Sequence, residues 1–321
     1  MTASERRKKS FRVCLLAALA VVGGWLYLAY FTPTTRAVRA RLDDADTQSR
    51  AAVAVRLKPL DDLLARGRRG AKAFAEEAVS WNGKWQFVKG LVDGGSHDRY
   101  LADAFGRHVF TPRELQQAME GCVAAYLSDL DAVEGEMLVR LRADLADPAR
   151  PATAPTGVGA DEAYRREFRA LAAALAVELR VDIGVTVGRE VGVFVASDMA
   201  ARAAVQAARA AAVELGVSGG ILGTGAASAV ATIGVGVIVA IIIDYLIDSA
   251  FGLMGYDPVA EVAAKVAESL DRLREALLRD PSWYSSETAG ALRQRLDDLH
   301  ESRSKVRREA VKRLLNRGGL E

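Results

Sequence analysis

TPRELQQAMEGCVAAYLSDLDAVEGEMLVRLRADL, residues 111–145, is the stretch from which the fold is read. Thr111-Pro112-Arg113-Glu114 offers a helix N-cap, a first-turn proline whose missing N–H costs nothing there, and an acid three residues after the cap that can reach back to it. Leu115, Met119, Cys122, Tyr126, Leu130, Val133, Met137 and Leu141 then recur every three or four residues. That spacing draws one apolar stripe along about seven to eight turns of α-helix. A stripe this long cannot stay bare in water, so the sequence predicts an all-α bundle of long, coiled-coil-like helices.

Working outward, Asp147-Pro148 stops this helix, and Pro151, Pro155, Gly157 and Gly159 mark 147–160 as a linker. A second helix is expected from near Asp161, where Tyr164, Phe168, Leu171, Leu175 and Leu179 repeat the spacing and suit antiparallel packing on the first. Upstream, residues 36–80 carry a weaker helical pattern interrupted by Pro59, Gly67 and Gly70, and 81–95 reads as a turn region.

Further along, Val181, Ile183, Val185 and Val187 alternate with polar or small residues as a short strand would. A competing period runs through the same residues. Gly184, Gly188, Gly192, Ala196, Ala200, Ala204, Ala208, Ala212, Gly216 and Gly220 stand four apart, the small-xxx-small spacing that lets helix backbones approach closely. The favoured expectation is one long helix, with Gly184, Gly188, Gly192, Gly216 and Gly220 as helix-packing positions. Near the C-terminus, Val259, Val262, Val266, Leu270, Leu273 and Leu277 form one amphipathic helix that Asp280-Pro281 breaks. Leu292, Leu296, Leu299, Val306, Ala310 and Leu314 form another, with a charged gap at Arg303. These two are expected to fold as a helical hairpin.

Two uncharged runs suggest a membrane. Val13–Phe31 is apolar over the length a bilayer core requires, follows a basic segment and ends in Trp25, Tyr27, Tyr30 and Phe31 like an interfacial belt. Leu215–Ile243 has 29 uncharged residues, about 43 Å as a helix, long enough to span with tilt or to turn near Thr232 as a re-entrant hairpin. The expected plan has five parts. Residues 1–12 are a cytoplasmic basic N-terminus, 13–31 a transmembrane helix, 32–214 an extracytoplasmic helical domain, 215–243 a second membrane segment, and 244–321 a C-terminal hairpin on the cytoplasmic side. A bacterial inner membrane is the expected location.

Composition narrows the chemistry. The 321 residues are 50% hydrophobic and 26% charged, too apolar for a disordered chain, and two cysteines exclude a disulfide framework. Residues 1–12 hold five Lys/Arg against one acid and 301–318 hold seven against two, while 13–300 nets −6, which argues against a nucleic-acid groove through the body. The basic tail of Arg303, Lys305, Arg307, Arg308, Lys312, Arg313 and Arg317 reads first as a solvated face and second as a contact for anionic lipid. Gly223-Thr224-Gly225-Ala226-Ala227-Ser228 resembles a dinucleotide fingerprint but lacks its third glycine and its strand–helix context. His97, His108 and His300 are too scattered for a catalytic set; His97 with Asp98 and His108 would meet as a metal site only if that segment folded back, and they read instead as surface residues. Asp244 and Asp248, one turn apart at the end of the second run, either terminate a span or line an ion pathway.

No catalytic set, cofactor or metal site is therefore expected. The sequence predicts an oligomeric, membrane-anchored scaffold or interaction protein whose partners are membrane lipid and either further copies of itself or another membrane protein. An oligomeric pore and a transmembrane sensor without an output domain are the alternatives.

Overall fold

In the computed structural model of the chain, the described residues are 33–80, 96–145, 158–179, 189–215, 242, 257–280 and 290–318. They form seven helices: α1 (Pro33–Val79), α2 (Ser96–His108), α3 (Pro112–Leu145), α4 (Val158–Leu179), α5 (Arg189–Leu215), α6 (Pro258–Leu278) and α7 (Ala291–Gly318). The fold is all-α, as the periodicity of residues 111–145 implied. The N-terminus of α3 closes as its sequence dictates. Thr111 N–H donates to Glu114 Oε2 at 2.7 Å, and Glu114 N–H donates to Thr111 Oγ1 at 3.2 Å. Asp257 caps α6 by accepting from Ala260 N–H at 3.0 Å.

The interruption expected in 36–80 does not occur: α1 is a single 47-residue helix, about 70 Å long. Pro59 lies inside it. The break costs about 3 kcal/mol in principle, but Val55 and Pro59 are both exposed, so water can serve the carbonyl that loses its donor. The opposite face buries Val53, Leu57, Leu60 and Leu64, each contributing about 1.5–3 kcal/mol. Burial outweighs the lost bond. The two glycines are contact points, not stops. A Cβ on Gly70 would stand 1.7 Å from the His108 carbonyl oxygen, and one on Gly67 would stand 2.9 Å from Val109 Cγ1. The end of α2 crosses α1 there, and Phe105 seats edge-on against both Phe74 and Phe110, with ring centroids 5.7 and 5.4 Å apart.

Ion pairs fix the helix directions. Arg41–Asp144, Arg56–Asp129 and Arg66–Glu114 run in opposite order along α1 and α3, which are antiparallel. Arg68–Asp271 and Arg274–Asp61 make α6 antiparallel to α1 as well. Two apolar clusters follow each other along the bundle. The larger joins Val53–Ala75 of α1 to α2, the first half of α3, α5, α6 and Leu292–Leu299 of α7. The smaller joins Leu42 and Ala45 to Met137–Leu141, Phe168–Leu175 and Val306–Leu314.

This arrangement corrects two expectations. First, α7 passes from the larger cluster to the smaller, towards the start of α1, so α6 and α7 run in the same direction and do not form a hairpin. They meet end to end, where Gly290 N–H donates to the Arg279 carbonyl at 2.9 Å. Second, α4 packs mainly against α7 and does not return along α3. Glu178 pairs with Arg313 at 2.8 Å while Arg165 lies beside Gly135, which sets α4 parallel to α3 and α7. In addition, α6 and α7 share their cores with α1 and α3, so the described residues of 33–145 and 257–318 pack as one body.

Among the described residues no helix is long and apolar enough to cross a membrane. The expected span 13–31 lies outside the described residues. So does 215–243, except for Leu215, which ends α5, and Ile242, which is buried in the larger cluster.

Candidate functional site: a buried arginine junction

The basic stretch of α7 is not simply a solvated face. Arg307 is fully buried and Arg303 is 4% exposed. Both stand where α1, α3 and α7 converge, with Glu134 of α3 7% exposed between them. Arg303 Nη1 donates to Glu134 Oε2 at 2.9 Å and its Nη2 to Asp131 Oδ1 at 3.0 Å. Arg307 Nη1 donates to Asp46 Oδ1 at 2.9 Å, and its Nη2 reaches both Glu134 Oε1 and Ser49 Oγ at 3.3 Å. Ser49 donates its own proton to the Ala45 carbonyl at 2.6 Å, which leaves its oxygen free to accept. Arg308, half-exposed, adds a bond to Asp43 at 2.8 Å and another to Asp46.

Local sequence puts these groups together. Arg303 and Arg307 are four apart on one helical face, and Asp131 and Glu134 are three apart on another, so both pairs meet across a single helix contact. Burying a guanidinium is costly unless carboxylates replace its water, and here three carboxylates from two helices do so. Every carboxylate of the junction is held by a guanidinium, so the arrangement clamps and registers helices; it offers no free base for catalysis. Sliding α7 by one turn would carry Arg307 about 5.4 Å from these oxygens.

Three buried atoms around the junction have no hydrogen-bond partner: Tyr126 Oη, His300 Nδ1 and Arg303 Nε. Burial pushes the Tyr126 phenol well above its ordinary range, with the Arg307 and Arg303 charges pulling the other way. His300 is 4% exposed. Burial, followed by the charge of Arg50, lowers its pKa. Asp297, half-buried beside Arg293, is raised by burial. His108 pairs with Glu77 at 2.7 Å, and bonds from Arg107 and His108 hold the Glu77 carboxyl below its usual range.

The small-residue row is visible over part of its length. Ala196, Ala200, Ala204 and Ala208 are buried in the larger cluster beside Ala203 and Ala207, so this face of α5 packs inside its own bundle. Gly192 lies in α5; Gly184, Gly188, Gly216 and Gly220 lie outside the described residues, as do Asp244, Asp248 and Gly223–Ser228. Among the described residues, no group of three or more His, Cys, Asp or Glu side chains is placed to hold a metal ion. The groove between α1 and α6 is open and lined by Arg68, Glu268, Asp271 and Arg272, charges of both signs.

The sequence shows Arg303 as a gap in an apolar pattern and as part of a basic tail, not as a buried group. The available signal was the i, i+4 arginine pair placed on the apolar face itself, in phase with Leu296, Leu299, Val306 and Ala310. No family model matches this chain, and comparison with curated proteins and with solved structures finds no similar protein.

Proposed function

We propose that the chain is a membrane-anchored helical scaffold, an interaction protein whose bundle stands on one side of a bacterial inner membrane. In this reading 13–31 is the anchor, the basic N-terminus stays in the cytoplasm, and 33–318 lies outside it. The run 215–243 then returns to the side it left, which is the re-entrant form of the second segment. Lipid and further copies of the chain, or another membrane protein, are its partners. The observation that carries the reading is the single pair of continuous cores joining α1 and α3 to α6 and α7. Such a body is a rigid spacer: two apolar cores lie along the bundle around a charge-paired arginine junction, and its flanks are laced by ion pairs from α1 to both α3 and α6. The apolar cores on either side of that junction, whose charges are all paired, favour a scaffold over a pore, which needs a polar path through the protein.

Cysteine accessibility tests this. With Cys14 and Cys122 replaced, single cysteines at Ser128 and at Ser304 should both react with an impermeant thiol reagent in intact cells. Reaction of one site only after permeabilisation would refute the shared side. Release of the chain from membranes by alkaline carbonate would refute the anchor.

A further inference from the structure

The smaller core is closed by one helix, α7, and the centre of that helix carries a histidine beside buried arginines. We propose that α7 is an acid-sensitive clasp: adding a proton to His300 loosens its hold on α1 and α3 and uncovers the smaller core. The geometry supplies the reasons. His300 lies one turn before Arg303 and two before Arg307 on the buried face of α7. Its Nδ1 has no acceptor to receive a new N–H. An imidazolium there would be a third buried cation next to two guanidinium groups, with one more, Arg50, facing it from α1.

The surrounding acids are already engaged or outside the buried face. From α1, Asp46 faces His300 but is bonded by Arg307 and Arg308. From α3, Asp131 and Glu134 are bonded by Arg303, and Glu134 also by Arg307; Tyr126, on the same helix, brings only a neutral phenol. On α7 itself, Glu301 is exposed and Asp297 lies beside Arg293. Asp280, at the end of α6, pairs with Arg293 at 3.2 Å, and Glu178 of α4 pairs with Arg313. The described buried face of α5 is alanine and methionine.

The sign follows from burial. A folded-state pKa held below the ordinary histidine value means that the open form takes up the proton more readily. The clasp is therefore fully closed above the ordinary value of about 6.5 and weakens as pH falls below it. Opening would expose Leu42, Ala45, Leu138 and Leu141, which α7 covers with Val306, Ala310 and Leu314.

The test uses the full chain without native cysteines, spin-labelled at the exposed positions Thr47 of α1 and Lys312 of α7, with the distance distribution measured at about pH 7.5 and about pH 5. A longer-distance population should grow at least about tenfold on acidification. His300→Gln should abolish that growth, and His108→Gln should leave it intact. An unchanged distribution in the parent, or equal growth in H300Q, would overturn the proposal. The parent alone also decides through its midpoint: opening centred near pH 4, where carboxylates titrate, would overturn it, whereas a midpoint between there and the histidine value supports it.

Discussion

Arg307 Nη1 donates to Asp46 Oδ1 at 2.9 Å, joining the last described helix to the first across 261 positions of sequence. Because the guanidinium is fully buried, removing it leaves Glu134 to Arg303 and Asp46 to Arg308, an excess of negative charge in a buried site. Arg307→Ala should cost about 3–5 kcal/mol of stability. Arg307→Met together with Glu134→Leu should cost less than Arg307→Ala does, because fewer unmatched charges remain. Urea unfolding followed by circular dichroism gives the comparison, and equal losses would show that the charges are not what holds α7.

Gly70→Ala places a methyl against a backbone carbonyl that cannot swing aside, since the built Cβ is 1.7 Å from it. The crossing of α2 over α1 must open, at about 1–3 kcal/mol. Gly121, with nothing within 4 Å of its Cβ position, is the control. Gly121→Ala should stabilise by about 0.5–1 kcal/mol through helix propensity alone. Opposite signs in thermal melts are expected.

Ala204 is fully buried on α5 and Ala210 is exposed on the same helix. Ala204→Leu should cost about 1–3 kcal/mol through overpacking, while Ala210→Leu should change stability little. Equal effects would mean that α5 does not need small residues on its packed face.

Cys122 sits in the larger core with its thiol pushed up to about 11 by burial. At pH 8 it holds almost no thiolate, so in a Cys14→Ser background it should resist a disulfide reagent until urea unfolds the chain. Rapid labelling of the native protein would contradict its burial.

The sequence showed the helices better than their partners. Thr111–Glu114 specifies its own cap, so α3 begins where local chemistry says it must. Apolar spacing in α3, α6 and α7 likewise named the buried faces. Pro59, Gly67 and Gly70 misled because their cost is local, whereas what keeps α1 continuous is distant: the α2 crossing and the leucines beneath it. Helix direction was misjudged for the same reason. A stripe shows that a face is buried but not against what, and the pairs that set α6 and α7 parallel, Arg68–Asp271 and Arg307–Asp46, link residues more than 200 positions apart. The junction itself was legible only as charge in the wrong phase, and its carboxylates lie on other helices.

That separation bears on how the protein is made. At ribosomal speeds of about 5–20 residues per second, α1 emerges roughly 13–50 s before Arg307 does. Through that interval Leu42, Ala45 and the carboxylate of Asp46 wait without the helix that completes their surroundings. The bundle thus closes last at the end that α1 begins, and nascent chains halted before α7 should be the ones that chaperones hold and proteases cut.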